Sequence, residues 1–147
     1  MINKFDGQYA FLSNFYNSTI FDKNNNLSYP TVEHAFQAAK AQTPEEAYNI
    51  SIASTPGRAK RLGRHCKLRP NWEEIKNDVM LNLLRQKFAD PILQKKLIDT
   101  MDEYLEEGNT WHDNYWGVCY CVNCEDTIGK NHLGKALMQV RSELRNG

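Results

Sequence analysis

Thr43-Pro44 and Thr55-Pro56 each set a capping side chain one residue ahead of a proline. That pairing suits the first turn of a helix, where the missing proline N–H has no partner to lose. Thr43-Pro44-Glu45-Glu46 is also a capping box opening a short helix, and Asp90-Pro91 starts another through Leu93, Leu97 and Ile98. Proline breaks helix interiors, so the chain must divide into short helices between these points. After Pro70, Asn71 can cap and Glu74 can reach back, which opens a long amphipathic helix carrying Trp72, Ile75, Val79, Leu83 and Leu84 to about Phe88. A last helix carries Leu133, Leu137, Val140 and Leu144. Residues 1–29 instead alternate short apolar pieces with turn residues, and Ile20-Phe21 and Leu27-Ser28-Tyr29 flank a hairpin-like loop. The helical rhythm also breaks over residues 102–124. The expected fold is α+β: one mostly helical domain over residues 1–147, with short strands near the N-terminus and around residues 103–118. Strands and helices do not alternate regularly, which argues against a doubly wound sheet.

The stretch Tyr29-Pro30-Thr31-Val32-Glu33-His34-Ala35-Phe36-Gln37-Ala38-Ala39-Lys40 is the centre of the pattern. Thr31 follows an extended X-Pro pair and serves as N-cap. Val32, Ala35, Phe36 and Ala39 make one apolar face, and Glu33, Gln37 and Lys40 repeat at the same spacing beside it. Glu33 sits in the first turn, where the helix dipole favours an anion. By itself the pattern also fits a solvated first-turn acid and a surface lysine.

Net charge is zero, but its distribution is uneven. Arg58, Lys60, Arg61, Arg64, Lys67 and Arg69 give residues 58–69 a charge of +6 with no acid, leaving −6 for the remainder. A neutral whole with one basic segment suits an anionic ligand better than general coating of nucleic acid. Arginine forks on the helix after Gly57 can hold phosphate, although a solvated basic face has the same composition. No apolar run approaches the length of a membrane span, and the opening MINKFDGQYA lacks a signal-peptide core, so the expected setting is cytoplasmic.

Three further features stand out near the C-terminal end. Asp113 lies between Trp111 and Trp116, and with Glu33 it is one of two carboxylates in unusual settings; paired carboxylates can divide acid, base and nucleophile roles. The tryptophans read equally as core anchors around a turn. Cys119, Cys121 and Cys124 are bunched while Cys66 stands alone, which is no disulfide framework. They are candidate ligands for a structural zinc, with His112 or His132 as the fourth, or else reduced loop cysteines. Gly129-Lys130-Asn131 could present backbone N–H groups and an amide to a ligand, or form a turn and cap.

Taken together these pieces resemble the NADAR (YbiA-like) family. The resemblance rests on Phe11-Leu12-Ser13-Asn14-Phe15, the stretch 29–40, the Gly57-Arg58 and Gly63-Arg64 pairs, and Leu68-Arg69-Pro70-Asn71-Trp72-Glu73. It continues through Asp113-Asn114-Tyr115-Trp116-Gly117 and residues 129–141, in the same order over nearly the whole chain. It implies a small helix-rich α+β fold and cleavage of an N-glycosidic bond at a ribose. Family members act on phosphoribosylamino-pyrimidine intermediates of riboflavin synthesis, or on ADP-ribose attached to a base, including guanine in nucleic acid. Glu33 matches the family's key glutamate, and Asp113, Trp72, Asn14, Lys40 and the Gly-Arg segment match its ligand cleft. Two departures stand out: Ala35 replaces an aromatic residue often found after Glu-His, and Val118 to Cys124 replaces a glycine-rich segment.

The expectation is therefore a glycosidase that needs no cofactor for catalysis, acting on a small-molecule or nucleic-acid-linked ADP-ribose as a monomer or small homo-oligomer. Glu33 would stabilise or attack the oxocarbenium-like sugar, and Asp113 would position ribose hydroxyls or water. Lys40, Arg58 and Arg61 would hold phosphate. Phe15 and Trp72 would stack or wall the base, with Asn14, Trp116 and Asn131 completing the cleft. The alternatives are the riboflavin intermediate as substrate, or a non-catalytic module binding ADP-ribose or nucleic acid.

Overall fold

The computed structural model describes all 147 residues, with six α-helices, two 3₁₀ turns and four short strands. The chain divides into two compact units, Asn14–Lys87 and a second built from Met1–Ser13 with Phe88–Gly147.

The Asn14–Lys87 unit opens with a hairpin, β1 (Ile20–Asp22) antiparallel to β2 (Leu27–Tyr29), with Ile20 opposite Tyr29. Asp22 Oδ1 accepts the Asn24 N–H across the turn, and Asn26 takes the left-handed conformation that asparagine tolerates. Helix α1 (Val32–Ala39) follows, then α2 (Pro44–Ser51), α3 (Pro56–His65) and α4 (Trp72–Lys87). The caps form as the sequence requires: the hydroxyls of Thr31, Thr43 and Thr55 accept the backbone N–H of His34, Glu46 and Arg58.

Helix α1 is the centre of this unit and packs against α2, α3 and α4. It has no solvent face: every residue from Val32 to Ala38 is buried. Its polar groups must therefore find partners inside the protein. His34 does so locally, with Nδ1 2.8 Å from the Thr31 hydroxyl and Nε2 donating to the Ala53 carbonyl. Phe36 meets the Trp72 ring at 5.1 Å. On α4 the buried residues are Trp72, Met80, Leu84 and Lys87, whereas Ile75, Val79 and Leu83 are half-buried. The core stripe is thus rotated by about one residue from the one expected.

In the second unit, residues Gly7–Leu12 fold as a 3₁₀ turn, where short strands were expected. Phe11 and Leu12 are adjacent and both buried, which a strand with alternating faces cannot do. Phe11 packs edge-on to Phe88. Asp90 caps α5 (Pro91–Ile98) by accepting the N–H groups of Ile92 and Leu93. Ile2 bridges to Leu105, and β3 (Gly108–Asn109) runs parallel to β4 (Val118–Cys119). Helix α6 (His132–Asn146) buries Leu133, Leu137 and Val140. Gly134 lets α6 approach the Leu105 carbonyl so closely that a Cβ there would collide with its oxygen. No helix is long and apolar enough to cross a membrane.

Candidate active site

Glu33 is only 7% exposed, so it is not a solvated first-turn acid. Its backbone N–H donates to the Asn14 carbonyl, and one turn later Gln37 Nε2 donates to its Oε1 at 3.0 Å. The helical spacing noted in the sequence thus becomes a direct contact. Two buried oxygens beside this pair, Asn14 Oδ1 and Gln37 Oε1, have no hydrogen-bond partner. Buried acceptors without a partner are uncommon, and a polar ligand or water is the usual reason. Asn14 Nδ2 reaches only the Met80 sulfur, at 3.5 Å, a weak acceptor. Gln37 is the residue of this group that sequence reasoning left out of the site; its position four residues after Glu33 was the available signal.

Lys40, at the end of α1, is half-buried. Burial pulls its ammonium below the usual lysine range, Cys66 and Glu33 pull it back up, and Arg64 and Lys60 push it down again. Lys40 is thus close enough to feel both the α1 carboxylate and the α3 cations. Helix α3 faces the core through Ala59 and Gly63. A Cβ on Gly63 would run into the Gln37 side chain and come within 2.9 Å of Lys40 Cε. Arg58, Arg61 and Arg64 are exposed, and none forms an ion pair. These three guanidinium charges are therefore not neutralised by an acid of the protein.

The aromatic residues expected at the base differ from each other. Phe15 is exposed, whereas Trp72 is 6% exposed and covered by Phe36. The ring of Trp72 is a core element with little face left for stacking. A groove of about 360 Å³ lined by the hairpin, α1, α2, Arg69 and Leu83 includes none of Glu33, Gln37, Asn14 or Lys40.

In the second unit, Asn109 organises the loop that carries Asp113. Its side-chain oxygen accepts the N–H groups of Trp111 and Asp113, and its Nδ2 donates to the Asp113 carbonyl. Asp113 Oδ1 accepts the N–H groups of Tyr115 and Trp116 at 3.1 and 2.9 Å, an Asx-type turn. Carbonyls of residues 114–117 accept the N–H groups of Lys130, Asn131, His132 and Leu133, so this loop caps α6. Trp116 is half-buried against Tyr115 and His132. Asn131 is buried in the left-handed conformation, and its amide is used by the fold: Oδ1 accepts from Glu107 N–H and Nδ2 donates to the Leu105 carbonyl and Tyr104 hydroxyl. It orients the 104–107 segment; its side chain is not free for a ligand.

The three bunched cysteines converge with His112, and the four ligand atoms lie within 4.8 Å of one another, a set that could bind a metal. His132 lies outside the set, with its ring against Tyr115 at 4.5 Å.

The model of the NADAR domain matches residues 2–145. An N-glycosidase of Nostoc punctiforme is 39% identical over 79% of this chain and 74% of its own length. The N-glycosidase YbiA of Escherichia coli is 38% identical over 83% of this chain and 74% of its own. A chloroplastic riboflavin biosynthesis protein, PYRR of Zea mays, is 34% identical over 84% of this chain but only 21% of its own length. The NMR structure of E. coli YbiA superposes with a TM-score of 0.80 at 34% identity, over 99% of this chain and 86% of that one. The chain belongs to the NADAR domain family.

Proposed function

We propose that the protein is an N-glycosidase that hydrolyses the bond between a ribose C1′ and a base nitrogen, with Glu33 as the carboxylate that meets the cationic sugar. The observation that carries this reading is a nine-tenths-buried carboxylate, bound by Gln37 and flanked by two buried oxygens without partners. Cleavage passes through an oxocarbenium-like state, and a fixed anion in a water-poor setting stabilises that charge. Water then adds its hydroxyl to C1′, and its proton goes to the departing base. Asp113 Oδ1 is taken up by its own loop, where it accepts the N–H groups of Tyr115 and Trp116. The N-glycosidases among the relatives support the reaction class. The guanidinium groups of Arg58, Arg61 and Arg64, which no acid neutralises, support a phosphorylated substrate.

ADP-ribose on a base, guanine foremost, is the proposed substrate, because a diphosphate suits Arg58, Arg61 and Lys40 together. The relative named for riboflavin biosynthesis favours a phosphoribosylamino-pyrimidine as the second reading. Incubation with ADP-ribosylated guanosine, an ADP-ribosylated oligonucleotide and the pyrimidine separates them by which one releases its base. Binding of ADP-ribose with no turnover of any would leave a non-catalytic module. The unpaired cysteines suit a reducing, cytoplasmic setting.

Three substitutions probe the helices around Glu33. Arg58→Ala or Arg61→Ala should raise KM for a phosphorylated substrate by about 10-fold, and added salt should weaken binding less than in the parent. Unchanged kinetics would move the anion site to Lys40 or Lys130. Gly63→Ala gains about 1 kcal/mol of helix propensity but must displace the Gln37 and Lys40 side chains. The melting temperature should therefore change little while turnover falls about 10-fold or more. Normal turnover would show that the Gln37 contact is dispensable.

A further inference from the structure

We infer that His112, Cys119, Cys121 and Cys124 form a structural zinc site that holds the loop carrying Asp113. His112 Nδ1 lies 3.3 Å from Cys121 Sγ, 3.4 Å from Cys124 Sγ and 4.0 Å from Cys119 Sγ. A ring nitrogen makes one hydrogen bond, yet this one faces three sulfurs. Tetrahedral zinc, with bonds of about 2.3 Å to sulfur and 2.0 Å to nitrogen, places neighbouring ligand atoms about 3.5–3.8 Å apart. The observed separations bracket that value.

Three further features agree. Cys119 Sγ accepts the backbone N–H groups of His112 and Cys121, the kind of donors that stabilise a metal-bound thiolate. His112 adopts a φ of +69°, a conformation costly for a residue with a Cβ, and so is held there by its surroundings. The loop also has little core of its own, because Trp111, Tyr120 and Val122 are 58%, 55% and 76% exposed. A metal cross-link supplies what apolar burial does not. Four protein ligands close the coordination sphere, so the zinc holds structure and leaves no position for substrate. Binding releases the thiol protons, which makes zinc affinity fall at low pH. The inference does not depend on the reaction proposed above.

Protein purified under reducing conditions without chelator should contain about one equivalent of zinc. A strong chelator should lower its melting temperature by several degrees or more and alter the near-ultraviolet circular dichroism of the loop's tryptophans. Cobalt added to the stripped protein should give a thiolate-to-metal charge-transfer band and tetrahedral visible bands. Cys121→Ser and His112→Ala should lose the metal, whereas Cys66→Ser and His132→Ala should keep it. A metal-free protein that takes up neither zinc nor cobalt overturns the site. So does a disulfide, seen as a loss of two hydrogens by mass. Zinc retained in His112→Ala but lost in His132→Ala would overturn the ligand assignment.

Discussion

Glu33→Gln is expected to lower turnover by roughly 100-fold or more while leaving substrate affinity within a few fold. The amide keeps the size of the side chain, and its oxygen still accepts from Gln37 Nε2, so the geometry at the end of that bond survives. On the proposed mechanism, what disappears is the negative charge that would face the developing cationic sugar. Loss of an interaction made only in the transition state lowers kcat and kcat/KM together and spares binding. The effect on folding should have the opposite sign or none. Burial of a carboxylate is unfavourable, so the neutral amide should leave the melting temperature unchanged or raise it by a few degrees. Release of free base from whichever candidate substrate the parent cleaves, equilibrium binding and melting temperature, measured on parent and variant, check all three statements. Full turnover in the variant removes Glu33 from the mechanism and makes Asp113→Asn the next variant to test.

Much of α1 was legible because its signals are local. Thr31 as cap and Glu33 with Gln37 at one-turn spacing follow from helix geometry, and both became hydrogen bonds. The burial of Glu33 was not legible. Amphipathic reading assumes that a helix keeps a wet face, and an eight-residue helix packed by α2, α3 and α4 keeps none. The same limit explains Trp72. An aromatic residue at a helix start reads alike for a stacking platform and a core anchor, and only its neighbour Phe36 decides. Two histidines lay near the cysteines in sequence, His112 and His132. The choice came from the fold: His132 opens α6, whereas the left-handed turn at His112 directs its ring to the sulfurs. Asn131 shows the converse. A Gly-Lys-Asn turn suggests a ligand-facing amide, but three groups of the 104–107 segment take up that amide first.

The second large effect concerns stability and pH, and it arises at Lys87. This last residue of α4 is 1% exposed, with its ammonium 5.6 Å from the centre of the Tyr16 ring. Burial pulls its pKa from 10.5 down to about 7. The folded value thus lies below the unfolded one. Between about pH 7 and 10.5 the unfolded chain holds a proton that the folded protein has released, so unfolding free energy rises with pH in that window. Below pH 7 both states are protonated, and the contribution of this group no longer changes with pH. From pH 7 to 9 the gain should be about 2 kcal/mol, at up to 1.36 kcal/mol per unit. Lys87→Met keeps the length of the side chain and removes the titration. Denaturant unfolding of both proteins across this range should show the rise in the parent and a flatter profile in the variant, with the largest difference at pH 7 and below. Thiols that titrate in the same window do so in both proteins, so the difference between the two slopes isolates Lys87. Equal slopes would mean that the folded protein keeps Lys87 protonated throughout this range.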